Sequence, residues 1–570
     1  MLPRRCDNFA PVRAAMFSNA RADRNRTQTK RGSFDVRTSL LGLSLLAASG
    51  FVSCGGGNSM PPPPAGCMNA SITVICTQSG QVQGVIEGDV RAFRGIPYAA
   101  PPLGNLRWRP PEVPLKWNGV RDASAFGNRC PQTDFAGGVQ GNEDCLTLNI
   151  FTSNPPGNSP QPVMVFFHGG ANSLGSTQEP PYIPSTPLVS HGVILVTVEY
   201  RLGLLGFLAL PQLTAEGQGS SGNYGLMDMI QSLAWVRANI SNFGGDPQHV
   251  MIFGQSSASA AVQVLLSAPS AQGLFSSAAM ESRVISSGFF AGGANAAYQN
   301  YAPLVPQVGC AGAGDVLACL RAVTADQIIQ AQLVSGLIPF IDFTPEPIVM
   351  PEDPFDRIQL RGSPVPLLIG SNNHEAVGII DDPSMPLDAN GYAVAVHALF
   401  DSIQAGSGNA VLALYPVAAY DTPMYALIDV HTDYLMTCNT RNLARAASGV
   451  NRPSVWRYFF THRFENDAFL NSLRSFHTAE LPFVFGNLGL IYYTGTPYTP
   501  TTAELQLSDE IEGYWARFAA TGDPNGVGAA PWASYDLANE NVLKLDDTPS
   551  TIQTYHNAQC DFFSSLPPSF

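Results

Sequence analysis

The run Val250-Met251-Ile252-Phe253-Gly254-Gln255-Ser256-Ser257-Ala258 constrains the fold of this chain more than any other. Four apolar residues, β-branched or aromatic in part, stop at a glycine, and Ala260 to Leu266 then read as a helix. A strand, a tight turn bearing a serine and a helix follow one another. Such a turn pushes the hydroxyl out beyond the strand end, while the helix N-terminus offers main-chain N–H groups to an anion. The match to G-x-S-x-G is imperfect, because Ala258 stands where the last glycine is expected. Taken alone, Ser256 reads more simply as a helix N-cap.

A second run gives the serine a chemical context. Met164 to Phe167 lead into His168-Gly169-Gly170-Ala171, small residues that let the backbone approach a substrate carbonyl. The donors required of such a loop are main-chain N–H groups, so Ala171 serves as well as a third glycine if its backbone angles are allowed. An ordinary Gly-rich turn is the plainer alternative. Around these runs, Pro162 to Phe167, Val193 to Val198, Val250 to Phe253 and Pro366 to Ile369 are short and apolar and are followed by Gly-containing turns, as buried parallel strands are. Leu226 to Ile240 has helical spacing and stops at Asn242-Phe243-Gly244-Gly245. The expected class is therefore α/β, a large and mostly parallel sheet flanked by helices. A small N-terminal antiparallel portion is expected from Gln81 to Val85 and Val90 to Phe93.

With 45% hydrophobic and 13% charged residues the chain can bury a large core, and its net charge of −14 argues against nucleic acid as a partner. Charge is unevenly spread: residues 1–53 hold 9 Lys/Arg against 3 Asp/Glu, and the rest 21 against 41. The basic part precedes the 13-residue apolar run Leu40 to Val52, too short for an ordinary spanning helix, and reads as a targeting segment. Its end, Phe51-Val52-Ser53-Cys54, resembles a bacterial lipobox with Cys54 as the lipid-bearing residue, although Phe51 is unusual there. Plain secretion and a merely apolar N-terminus are the alternatives. The expected partition is residues 1–53 as targeting segment, 54–67 as a Gly/Pro-rich tether and 68–570 as one catalytic domain. Eight cysteines lie beyond Cys54, an even number that suits an exported chain better than reduced core thiols. Spacing favours Cys67 with Cys76, Cys130 with Cys145 and Cys310 with Cys319, leaving Cys438 and Cys560 to meet across the fold.

Several ordered blocks make the chain resemble the type-B carboxylesterase family of α/β-hydrolases. They include Phe93-Arg94-Gly95-Ile96-Pro97-Tyr98-Ala99, Glu143-Asp144-Cys145-Leu146-Thr147-Leu148-Asn149-Ile150, Asn223-Tyr224-Gly225-Leu226-Met227-Asp228, Asn242-Phe243-Gly244-Gly245-Asp246-Pro247 and Thr521-Gly522-Asp523-Pro524-Asn525. The resemblance implies an α/β-hydrolase fold and serine-dependent hydrolysis of carboxylic esters through an acyl-enzyme, with small-molecule esters as substrates and neither cofactor nor metal. It implies Ser256 as nucleophile and oxyanion donors at Gly170, Ala171 and Ser257. The block Ser475-Phe476-His477-Thr478-Ala479-Glu480 singles out His477 as base. The acid is implied at Glu375, within Gly370-Ser371-Asn372-Asn373-His374-Glu375, where a solvated loop glutamate is the alternative. Serine, acid, histidine is the chain order of α/β-hydrolases. The family also joins cysteines at the positions of Cys130 and Cys145 and of Cys310 and Cys319, and many members at those of Cys438 and Cys560; Cys67 with Cys76 rests on proximity alone.

Three positions depart from the pattern. Gln255 replaces a glutamate before the nucleophile and removes a negative charge near His477. Ala258 adds a methyl where helix and strand approach. Met280-Glu281-Ser282-Arg283 stands where Gln-Ser-Gly is usual, so that Arg283 is a candidate to bind an acidic acyl group, or else forms an ion pair with Glu281 or another carboxylate. Rival readings are a lipase, with the loop closed by Cys130 and Cys145 as its lid, and a non-catalytic cholinesterase-like binding module. The natural ester and the oligomeric state are set by pocket and surface shape, which motifs do not encode.

Overall fold

Apolar runs too continuous for a one-sided sheet become its interior strands. In the computed structural model, which describes residues 69–134, 137–183, 186–288, 292–334, 342–490 and 496–567, 11 strands form the main sheet. They are β1 (Val85–Glu87), β2 (Val90–Pro97), β3 (Thr147–Ser153), β4 (Gln161–Phe167), β5 (Ile194–Val198), β6 (Gly245–Gln255), β7 (Ser277–Glu281), β8 (Leu367–Asn372), β9 (Val455–Phe460), β10 (Val542–Leu545) and β11 (Ser550–Ile552). Their order is β11-β10-β9-β8-β7-β6-β4-β5-β3-β2-β1. Every pair from β10 to β5 is parallel, and the pairs at both ends are antiparallel. The targeting segment, Cys54, the tether and Cys67, and with it the Cys67–Cys76 pairing, lie outside the described residues.

Alternate side chains of one strand feed two cores, as the period of two requires. On β4, Val163, Val165 and Phe167 pack with Leu226, Trp235 and Ala261, which lie on the helices α1 (Tyr224–Asn239) and α2 (Ser257–Ser267). Met164 and Phe166 pack instead with Val430, Ile511 and Trp515, from α3 (Pro423–Thr432) and α4 (Thr502–Thr521). A capping box between Thr501 and Glu504 starts α4, and Gly522 in the left-handed region ends it.

Gln81 to Val85 does not form one strand. Gln81–Gln83 pairs with Val74–Cys76 and with Val120–Asp122 in a separate three-stranded sheet, whereas Val85–Glu87 joins the main sheet. The break falls at Gly84, where an added Cβ would come within 2.4 Å of the Ala92 oxygen.

Disulfides join Cys130 to Cys145, Cys310 to Cys319 and Cys438 to Cys560. The last spans 122 residues, a loop long enough to restrict the unfolded chain substantially.

Candidate active site

Strand β6 ends at Gln255 and α2 begins at Ser257, so Ser256 must reverse the chain in one step. It does so at φ 58°, ψ −125°, backbone angles that side chains other than glycine rarely adopt. Its N–H donates to the Glu281 oxygen (2.9 Å) and its carbonyl accepts from Ala260 N–H (3.3 Å). From Val250 to Ala268 every residue is buried except Ser256. The extra methyl of Ala258 is absorbed against Gly254, where a Cβ would lie 2.8 Å from it.

The loop after β4 folds down on this turn. A Cβ on Gly169 would stand 2.8 Å from the Gln255 oxygen and 3.2 Å from Ser256 Cβ, and one on Gly170 (φ +115°) only 2.2 Å from the Leu174 oxygen. Ala171 takes φ 56° and Asn172 φ 57°. Asn172 N–H donates to Ser257 Oγ (3.2 Å), tying loop to helix. Among the described residues, the N–H groups of Gly170, Ala171 and Ser257 donate to no protein acceptor, which is what an oxyanion site needs of its donors. Glu199, fully buried, holds the far side of the loop by accepting from Ser176 Oγ and from Thr177 N–H and Oγ1. Burial raises this carboxyl and pushes the neighbouring His168 down to about 4. Gln132, beside the Cys130–Cys145 bond, donates to the Gly175 oxygen and accepts from Gly175 N–H.

Two other loops bring His477 to Glu375. Glu375 is fully buried; its Oε1 accepts from Asn372 N–H at 2.7 Å and its Oε2 meets His477 Nδ1 at 2.5 Å. With Nδ1 carrying the proton toward the acid, Nε2 is left with its lone pair. Gln255 Nε2 lies 3.3 Å from that Nε2 and 3.4 Å from Nδ1. An in-plane approach to both nitrogens would collide with Cε1, so the amide rests against the ring face. Among the described residues no hydrogen bond joins Ser256 Oγ to the imidazole; His477 reaches the serine's immediate neighbour Gln255. Such bonds are often long in enzymes without substrate and tighten when it binds.

Two further carboxyls lie in the same interior. Glu281 donor contacts come from Trp515 Nε1 at 2.8 Å, and burial, with Glu480 nearby, pushes its carboxyl up to about 8. Glu480, which hydrogen-bonds Asn372 Nδ2, is pushed up to about 7 by burial and then by Glu375. Glu480 stands three residues after His477 in a quoted block, but nothing local in the sequence marks either acid as buried. Arg283 pairs with Asp342 (2.7 Å) and not with Glu281.

The model of the Carboxylesterase family matches residues 71–563. The chain is 34% identical over 488 residues to para-nitrobenzyl esterase of Bacillus subtilis (strain 168), covering 83% of this chain and 94% of the relative. It is 32% identical to fumonisin B1 esterase of Sphingopyxis macrogoltabida, covering 81% and 85%, and 30% identical to cocaine esterase of Oryctolagus cuniculus, covering 86% and 95%. Among solved structures, a PNB esterase superposes with a TM-score of 0.72 at 32% identity over 86% of this chain and 100% of its own. A thermophylic PNB esterase gives 0.73 at 31%, with the same coverage. The continuous match and the shared sheet together make this chain a member of the carboxylesterase family, an α/β-hydrolase that hydrolyses carboxylic esters.

Proposed function

We propose that Ser256 is the nucleophile of this esterase, His477 its general base and acid, and Glu375 the carboxylate that orients the imidazole. The observation that carries the reading is the 2.5 Å contact of His477 Nδ1 with a fully buried Glu375, combined with a serine that alone breaks a buried run on a strained turn. His477 Nε2 removes the Ser256 proton as Oγ attacks the ester carbonyl, and Glu375 stabilises the imidazolium. The N–H groups of Gly170, Ala171 and Ser257 receive the tetrahedral oxyanion. Collapse expels the alcohol, which takes the proton from His477, and water repeats the attack on the acyl-enzyme. The decisive experiment is an aryl-ester assay and organophosphate labelling of Ser256→Ala beside the parent: the variant should lose both, and retained turnover would remove the assignment.

Small-molecule esters are the substrates this reading favours over interfacial triacylglycerols. The candidate lid is short and is stapled through Gln132 to Gly175, which opposes large opening. Residues 68–570 then act as one catalytic domain behind a tether, residues 54–67. Disulfides support export, and the lipobox supports membrane attachment through Cys54. Incorporation of labelled palmitate that disappears in Cys54→Ala tests that attachment.

A further inference from the structure

The loops that carry Glu375 and His477 are joined by more than that pair. His374 N–H donates to the Ser475 oxygen (3.0 Å), His374 bridges Phe476 in parallel, and Asn372 Nδ2 donates to the Phe476 oxygen (2.9 Å). The first two are main-chain seams and the third ties the Asn372 side chain to the same backbone; they fix where the loops run but tolerate small rotations about them. A side-chain bolt lies across the same seam. The His374 ring is 2% exposed; its Nε2 is 3.2 Å from Arg474 Nη1 and 3.6 Å from Asp429 Oδ1 on α3. It packs nearly perpendicular to the Tyr425 ring, with centroids 6.1 Å apart.

Arg474 is itself immobilised. It sits at φ 59°, its guanidinium lies 3.4 Å from the Tyr425 ring centroid, and Nη2 is bonded to Asp421. Tyr425 OH in turn donates to the Ser472 oxygen (2.6 Å). Charged and titratable groups thus face His374 from three sides: Arg474 and Arg463 from the histidine loop and the strand end before it, and Asp429 from α3 with Tyr425. Burial and the two arginines hold the imidazole well below its usual range, so it meets Arg474 as an acceptor.

We propose that His374 is a positioning residue, whose side chain bolts the Glu375 loop to the His477 loop through Arg474 and so fixes the angle at which the carboxylate meets the imidazole. Its described contacts outside its own loop are to Arg474, Asp429 and Tyr425 and to the backbone of the histidine loop, and include no reacting atom. The inference rests on the catalytic roles proposed for Ser256, His477 and Glu375. Loss of the bolt leaves a partly buried guanidinium N–H without its acceptor and frees Glu375 to turn, which loosens its grip on the imidazolium.

The test compares His374→Leu, His374→Gln and Ser256→Ala in the full-length protein, with kcat, KM and the pH profile of kcat/KM as readouts. In His374→Leu, kcat should fall about tenfold to a hundredfold, as misplacement of a catalytic group costs, with KM little changed and the acid limb of the profile moved to lower pH. His374→Gln, which restores an acceptor within reach of Arg474, should recover both kcat and the limb. Equal losses in Leu and Gln variants, or an unmoved limb in His374→Leu, overturn the proposal. If His374→Leu fails to fold, Arg474→Met carries the same two expectations and the same refutation. Activity surviving in Ser256→Ala would refute the underlying catalytic assignment instead, whatever the His374 variants do.

Discussion

Gln255 and Glu281 stand opposite one another in register on the parallel strands β6 and β7, and together they deliver an amide to His477 and an acid to Trp515. The strand residue that meets the imidazole opposite Glu375 is thus uncharged, and the buried acid one strand over holds its proton near neutrality because burial pushes it up to about 8.

That proton makes stability depend on pH in a definite direction. The folded carboxyl binds a proton more tightly than the unfolded one, whose value is 4.5, so its contribution is fully present below that value and is lost as pH rises through about 8. Glu281→Gln, which mimics the protonated acid and keeps an acceptor for Trp515, removes this contribution to the slope. Melting temperatures of parent and variant measured from about pH 5 to about pH 9 should diverge, the parent losing more on the alkaline side. Parallel curves would sink the prediction. Glu512, also raised by burial, remains in both proteins and cancels in the comparison, whereas Glu480 interacts with Glu281 and is part of what the substitution changes.

Restoring an acid next to the serine should change kinetics rather than stability. In Gln255→Glu a carboxylate replaces an amide 3.3 Å from His477 Nε2 and favours the imidazolium. A base that holds its proton more tightly is free to act only at higher pH, so the acid limb of kcat/KM should move upward. Superimposable pH profiles for parent and variant would contradict the contact as described.

The parts of this site legible in the sequence are those built from short local turns. Ser256 and Gly170 sit in segments where glycine spacing, apolar runs and a helix start fall within a few residues of one another, and the structure puts them where those signals point. His477 has no local signal of that kind; among nine histidines only its block resemblance distinguishes it. Strand Gln81–Gln83 was legible, but not its parting from Val85, because alternation cannot say which of two sheets a residue joins, and the close approach at Gly84 involves Ala92 from another strand. That Arg283 pairs with a carboxylate was one of its two readings in the sequence, but which carboxylate was not legible, and neither were the partners of Glu281 and His374. Asp342 lies 59 residues from Arg283 and Trp515 lies 234 from Glu281, distances at which only the folded sheet decides who meets whom.

The Arg283 pairing bears on specificity. Its guanidinium is already compensated by Asp342 at 2.7 Å, and both side chains retain some exposure, so the pair contributes little to stability and offers no spare cation to an acidic acyl group. Arg283→Ala should therefore change kcat/KM by the same factor for neutral and anionic esters of matched size. A loss confined to anionic esters would show that Arg283 leaves Asp342 for the substrate.

The two small residues of the proposed oxyanion loop should respond in opposite ways to a single methyl. Gly170 has φ +115°, and a Cβ there would lie 2.2 Å from the Leu174 oxygen, a main-chain atom that cannot move without unmaking the turn closed by Ser173 and Leu174 N–H on the Gly170 oxygen. Gly170→Ala should displace the donors and reduce kcat about 10² to 10³-fold, the cost typical of losing one oxyanion donor, with a lowered melting temperature. Ala171 already carries its methyl at φ 56°, where an L-residue is strained by roughly 1 kcal/mol while glycine is not. Ala171→Gly keeps the N–H and relieves that strain, offset in part by the greater freedom glycine gains in the unfolded chain. Activity should stay within about twofold of the parent, since the donor is unchanged. The two variants, assayed on one aryl ester and melted side by side, separate a loop that needs small residues for their space from one that needs them for their angles, and a Gly170→Ala enzyme as active as Ala171→Gly would show that the loop at Gly170 is not packed as described.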